Sequence, residues 1–116
     1  MVDPNCIFCR IAAGEIPAKI VRQDDDTVAF RDLNPQAPTH VLVITRKHVP
    51  SVNVLEGGDA ALIGRLFLAA KEIARDEGVA DSGYRMVINA GPNAGQSVDH
   101  IHLHVLGGRG LAWPPG

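Results

Sequence analysis

The chain has 116 residues, of which 46% are apolar and 21% charged, the make-up of one globular domain spanning residues 1–116. Eleven Lys and Arg against thirteen Asp and Glu leave a formal charge of −2 without a long single-sign run, which argues against a general nucleic-acid or anionic-membrane binder. No apolar run approaches the ~18 residues that span a bilayer. The N-terminus, Met1-Val2-Asp3-Pro4-Asn5, lacks the basic and apolar regions of a signal peptide, and two cysteines cannot form a disulfide framework, so a cytoplasmic, reducing location is expected.

In chain order, Cys6 to Ala13 reads as a short helix stopped by Gly14. Ala18 to Gln23 and Thr27 to Asp32 read as two strands joined by Asp24-Asp25-Asp26. Pro35 and Pro38 break the chain before His40 to Thr45, a β-branched, uncharged run suited to a central strand. Gly57-Gly58-Asp59 offers a turn and an N-cap. Beyond it Leu62, Leu66, Ala69 or Ala70, and Ile73 recur at helical spacing, with Gly78 placed to stop the helix. Tyr84 to Asn89 alternates as a strand, Gly91 to Gly95 is a loop, and Ile101 to Leu106 is the last strand, ended by Gly107-Gly108. The hairpin and the excess of strands predict an α+β fold, an antiparallel sheet against one long helix.

His100-Ile101-His102-Leu103-His104-Val105-Leu106 is the most informative stretch. Alternation in a strand sets three imidazoles on one face, ~6.6 Å apart, and Ile101, Leu103 and Val105 on the other. Two neutral imidazoles side by side can divide the work of substitution at phosphorus, one attacking and the other donating to oxygen. A metal site at His102 and His104 is the alternative, but the neighbouring residues are glycine, serine and amide, which suit an anion. Gly95-Gln96-Ser97, just before, can bring backbone N–H groups and a hydroxyl against a phosphate. Cys6-Ile7-Phe8-Cys9 is a C-x₂-C, half of a common structural zinc site.

The His-φ-His-φ-His-φ-φ pattern, with φ apolar, resembles the signature of the histidine triad (HIT) superfamily. Ile16-Pro17-Ala18-Lys19-Ile20, Pro35 to His40, Gly83 to Val87, Gly95 to Val98 and the end from Leu106 to Gly116 look like its Hint branch. The resemblance implies a HIT-like fold: a five-stranded antiparallel sheet packed against one long helix, plus a short N-terminal helix. It also implies a homodimer that hydrolyses purine nucleoside 5′-phosphoramidates (AMP- or GMP-like substrates) through a nucleotidyl-histidine intermediate, with no cofactor for catalysis.

By that resemblance His102 is the nucleophile and His104 the phosphate-contacting donor, with His100 and His40 as supporting relay and Ser97 near the leaving group. Asp32 would hold the ribose hydroxyls. Ile7, Phe8, Ile11, Phe30, Leu33 and Leu42 would surround base and ribose, Asn89, Gly95 and Val98 the phosphate, and Trp113 would reach a partner's site. It also completes the C-x₂-C with His48 and His100 as a structural zinc site, so that His100 would serve both zinc and relay. Each residue has a plainer reading as well: Phe30, Leu33 and Leu42 as core, Asp32 and Asn89 as turn residues, His40 as a satisfied strand-end histidine. Two other functions compete, a nucleotide-binding regulatory or scaffold protein with incidental hydrolysis, and a dinucleoside polyphosphate hydrolase of the Fhit-like kind. Ser97, where the latter would have a further histidine, favours the Hint branch. Arg31, Leu33 and Asp99 depart from the branch's pattern at the ribose edge and before the triad.

Overall fold

The computed structural model describes residues 2–116. Its order is helix α1 (Ile7–Ala12), strands β1 (Ile20–Gln23), β2 (Thr27–Arg31) and β3 (Thr39–Thr45), helix α2 (Ala60–Asp76), then strands β4 (Tyr84–Val87) and β5 (His102–Gly107). The strands form one antiparallel sheet in the order β1-β2-β3-β5-β4. The expected architecture is the one observed.

Each face of the sheet is covered by one helix, and strand alternation decides which residues go where. Ala29, Val41, Val43, Leu103 and Val105 pack under Leu66, Ala69, Ala70 and Ile73 of α2. Val28, Phe30, Leu42 and Ile44 face the other way, against Cys6, Phe8, Cys9 and Ile11 at α1. All seven residues of β3 are buried, which its lack of charge anticipated. Asp24 makes the β1–β2 turn by accepting the N–H groups of Asp26 (2.9 Å) and Thr27 (2.8 Å) at Oδ1. Gly107 lies on β5 because a Cβ there would stand 2.9 Å from Cβ of Val79.

Several boundaries differ from the sequence reading. β1 begins at Ile20 rather than Ala18, and its register slips between Ile20 and Arg22. Asp59 precedes α2 but does not cap it. Its carboxylate accepts the N–H of Glu56 (3.0 Å) and the ammonium of Lys47 (2.8 Å) instead. β4 ends at Val87, so Asn89 lies beyond the ladder. β5 begins at His102 and not Ile101, because the N–H groups of His100 and Ile101 bond to the carbonyls of Val98 (2.9 Å) and Val49 (2.7 Å), away from the sheet. Among the described residues, no helix is long and apolar enough to cross a membrane.

Candidate active site

His102 and His104 both project from β5 toward the α1 face, opposite Ile44 and Leu42 of β3, with ring centroids 5.2 Å apart. His100 does not stand in the same row. It lies in the bend before the strand, and its ring, fully buried, turns toward the two cysteines. Three imidazoles on one strand face is therefore corrected to two on the strand and one beside it.

Main-chain partners fix what each ring can do. Nδ1 of His102 lies 2.7 Å from the carbonyl of His100, so Nδ1 carries the proton and Nε2 keeps its lone pair. The N–H of Gln36 donates to Nδ1 of His40 at 3.0 Å, which leaves the His40 proton on Nε2, 2.9 Å from Nδ1 of His104. His104 thus accepts at Nδ1 and has a proton to give at Nε2. His40 stands 3.4 Å from Oδ2 of Asp32, whose Oδ1 accepts the N–H of Asn34 at 2.8 Å. Asp32 is both the turn residue and the carboxylate of the site. Burial holds the His40 pKa below its ordinary value, only partly offset by the Asp32 charge. Burial, then His102 and His40, push His104 down to about 4, so the pair is neutral near pH 7.

The expected relay through the ring of His100 is not made; His100 reaches His102 through its main-chain oxygen. Its Nε2 donates to the carbonyl of Thr45 at 2.6 Å, which turns the Nδ1 lone pair toward Sγ of Cys6 (3.3 Å), Sγ of Cys9 (3.5 Å) and Nδ1 of His48 (3.3 Å). Sγ of Cys9 is 3.3 Å from Nδ1 of His48, and all four ligand atoms lie within 4.8 Å of one another. With zinc bonds of roughly 2.0–2.1 Å to nitrogen and 2.3 Å to sulfur, a tetrahedron has edges of about 3.3–3.8 Å. Four of the six donor–donor edges, at 3.3–3.5 Å, match that figure, and Cys₂His₂ is a common zinc ligand set. Burial pushes the Cys9 thiol up, a cost that a cation would reverse.

Phe30 and Leu42 are buried, so their core reading holds, whereas that of Leu33 does not; Phe8 and Ile11 are buried as well, and Phe8 meets His102 edge-on at 5.1 Å. Ile7 is exposed and lines a groove of about 510 Å³ with Asn5, His48, Ser97, Val98 and Asp99. Leu33, 95% exposed, lines a separate cavity of about 260 Å³ with Lys19, Arg31, Asp32 and His40. Through His40 this cavity adjoins His104. Gly95 adopts a positive φ (+80°) and Ser97 is exposed. Gln96 staples the loop, accepting from Gly91 N–H (3.0 Å) and donating to Pro50 (2.7 Å) and Val98 (3.1 Å). Asn89 is half-buried; extending the β4–β5 register by two residues would bring it opposite His102. Trp113 is 83% exposed, while Arg85 holds the tail before it by the carbonyl of Ala112 (2.9 Å).

Sequence reasoning missed the carbonyl of Thr45 and the N–H of Gln36, which set two tautomers, and no side-chain signal could have revealed main-chain partners. Arg31 lines the Asp32 cavity and also pairs, at 2.7 and 3.0 Å, with Glu77 just past the end of α2.

A family model described as the HIT domain matches residues 13–111. An uncharacterised HIT-like protein of Synechocystis is 53% identical over 112 residues, covering 97% of each chain. Among solved structures, a HIT family hydrolase from Legionella pneumophila superposes with TM-score 0.95 at 50% identity, covering 97% of this chain and 100% of that one. A histidine triad protein from Clostridium difficile superposes with TM-score 0.94 at 39% identity, covering 97% of both.

Proposed function

This chain belongs to the HIT domain family, and on that premise we propose that it hydrolyses purine nucleoside 5′-phosphoramidates, such as adenosine 5′-monophosphoramidate, through a nucleotidyl-histidine intermediate on His102. The observation that carries the reading is the 2.7 Å bond from Nδ1–H of His102 to the carbonyl of His100, which leaves a free Nε2 beside a neutral imidazole with a proton to offer. The name of the Legionella relative, a hydrolase, supports hydrolysis.

In the first step Nε2 of His102 bonds to the α-phosphorus and the phosphorus–nitrogen bond to the amine breaks. The amine leaves with that electron pair and gains a proton through the Ser97 hydroxyl, which is replenished by solvent. The His100 carbonyl steadies the charge on the nucleotidyl-imidazolium through Nδ1–H, while Nε2–H of His104 donates to a non-bridging phosphate oxygen. In the second step water attacks the same phosphorus, the bond to Nε2 breaks and its electron pair returns to His102. The nucleoside monophosphate leaves, and a proton goes back to solvent. Asp32, in the cavity beside His40, offers acceptor oxygens to a vicinal diol. Cys6, Cys9, His48 and His100 would hold a structural zinc, which would cross-link α1 to the loop after β3 and the loop before β5.

The active form is a homodimer. Phe67 and Leu68 of α2 are 42% and 60% exposed and Met86 of the edge strand β4 is 40% exposed, an apolar surface that a second copy would cover. Trp113 then has a partner's site to reach.

The test is turnover of adenosine 5′-monophosphoramidate by wild type and His102→Ala. The variant should lose several orders of magnitude in kcat and retain AMP binding by calorimetry. Near-wild-type turnover would remove His102 from the mechanism. AMP binding without turnover in the wild type would instead mark a nucleotide-binding scaffold.

A further inference from the structure

We infer that the Cys6–Cys9–His48–His100 cluster, once it holds a metal, positions the nucleophile and does not only stabilise the fold, which makes Cys6, Cys9 and His48 positioning residues for His102. This rests on the reading of His102 as the nucleophile.

Two separate paths join the cluster to the His102 ring. The first runs through the main chain. His100 stands outside the β-ladder, its N–H bonded to Val98, so the sheet does not fix the direction of its carbonyl. Its ring does, together with the Ile101 N–H of the same planar peptide, which donates at 2.7 Å to the carbonyl of Val49, the residue after His48. Nε2 is bonded to Thr45 and Nδ1 lies among the cluster's donors, so both nitrogens are tied and the residue is fully buried. The carbonyl of that anchored residue takes the Nδ1 proton of His102 and thereby sets both its tautomer and its aim.

The second path runs through α1. Phe8 lies between Cys6 and Cys9, and its ring meets His102 edge-on at 5.1 Å and 83°, and Phe30 at 5.5 Å. A helix of six residues is far too short to persist by itself. Its seat against His102 rests on the packing of Phe8 and Ile11 against β2 and β3 and on what its two thiols hold. A cation that draws Cys6, Cys9, His48 and His100 together therefore fixes the His102 ring at its Nδ1 edge and on one flank at once. A nucleophile displaced by about 1 Å loses rate on the order of 100-fold.

His48 is the residue on which to test this, because it belongs to neither α1 nor the histidine pair and no contact joins it to His102 among the described residues. Zinc content, kcat and KM for adenosine 5′-monophosphoramidate, and the His102 Nδ1–H resonance by proton–nitrogen NMR are measured in wild type, His48→Ala and His48→Cys. Wild type should hold about one zinc per chain. His48→Ala should lose it, with kcat falling on the order of 10- to 100-fold, KM changing less, and the His102 resonance broadening. His48→Cys, which restores four ligands as Cys₃His, should recover all three. His48→Asn replaces the alanine variant should that one not fold. Folded, zinc-free protein with wild-type kcat and an unchanged His102 resonance overturns the proposal, as does wild type that takes up no zinc. A wild type without phosphoramidase activity would defeat the proposed function, while the resonance would still decide whether the metal sets the His102 ring.

Discussion

At the scale of single residues, His40, His100 and His102 are buried and His104 half-buried, so each imidazole is defined by which of its nitrogens already has a partner. His104 carries the clearest consequence. Burial, with His102 and His40 nearby, lowers its pKa from 6.5 to about 4, and Asp32 offsets only part of this. An imidazole depressed in the folded state binds its proton more readily in the unfolded chain. Its contribution to stability is therefore full above about 6.5 and is lost as pH falls toward 4; His40, also depressed, acts in the same direction. Melting temperature should drop between pH 7 and pH 4.5, and the drop should be smaller in His104→Gln. Identical pH profiles for the two proteins would show that the neutral pair is not what acid disrupts.

At the scale of elements, strand alternation separates the two jobs of the sheet. One face of β3 and β5 builds the core under α2, while the other presents His102 and His104 toward α1. The two helices are held in different ways. α2 has seventeen residues and a buried apolar stripe, and Gly78, with φ of +76°, turns the chain after it. The Arg31–Glu77 pair also ties its end to β2, but both side chains are partly exposed, so the pair is worth about 0.2–1 kcal/mol. Arg31→Met should therefore cost no more than that in urea unfolding and leave AMP affinity nearly unchanged; a large loss of affinity would show that Arg31, which lines the Asp32 cavity, also contacts the nucleotide. α1 has only six residues, with Cys6 as its N-cap and Cys9 buried beside Phe8 and Ile11. Protein purified without chelator should carry about one zinc per chain, and Cys6→Ser with Cys9→Ser should melt several degrees lower. A chelator that strips zinc without moving the wild-type melting temperature would make the C-x₂-C a bystander.

At the scale of the whole molecule, α2 and β4 leave Phe67, Leu68 and Met86 exposed, and the tail that Arg85 anchors projects Trp113. A tryptophan left 83% exposed gains most from burial against another surface. Light scattering at micromolar concentration should report a dimer. Deleting residues 111–116 should alter selectivity among leaving-group amines more than AMP affinity. A monomer with wild-type selectivity would leave the tail without a role in the site.

The order and type of both α-helices and all five strands, the buried central strand and the shared strand face of His102 and His104 were legible in the sequence. α2 and the histidine pair rest on a local period of about 3.6 or two residues that residue order exposes directly, and the central strand on an uncharged β-branched run. The C-x₂-C was also legible, from its spacing, as half of a metal site, while Asp32 was marked by the family resemblance alone. Other features were decided only by the fold. His100 leaves the histidine row because its N–H bonds to Val98 before the strand begins. Gln36 and Thr45 set the protons of His40 and His100 through main-chain atoms that every residue carries alike. Cys6, Cys9, His48 and His100 meet across 94 residues of chain. Periodicity reports which way a side chain faces within its own element. Which main-chain oxygen takes a proton, and which distant thiol a ring meets, depend on how those elements pack in three dimensions.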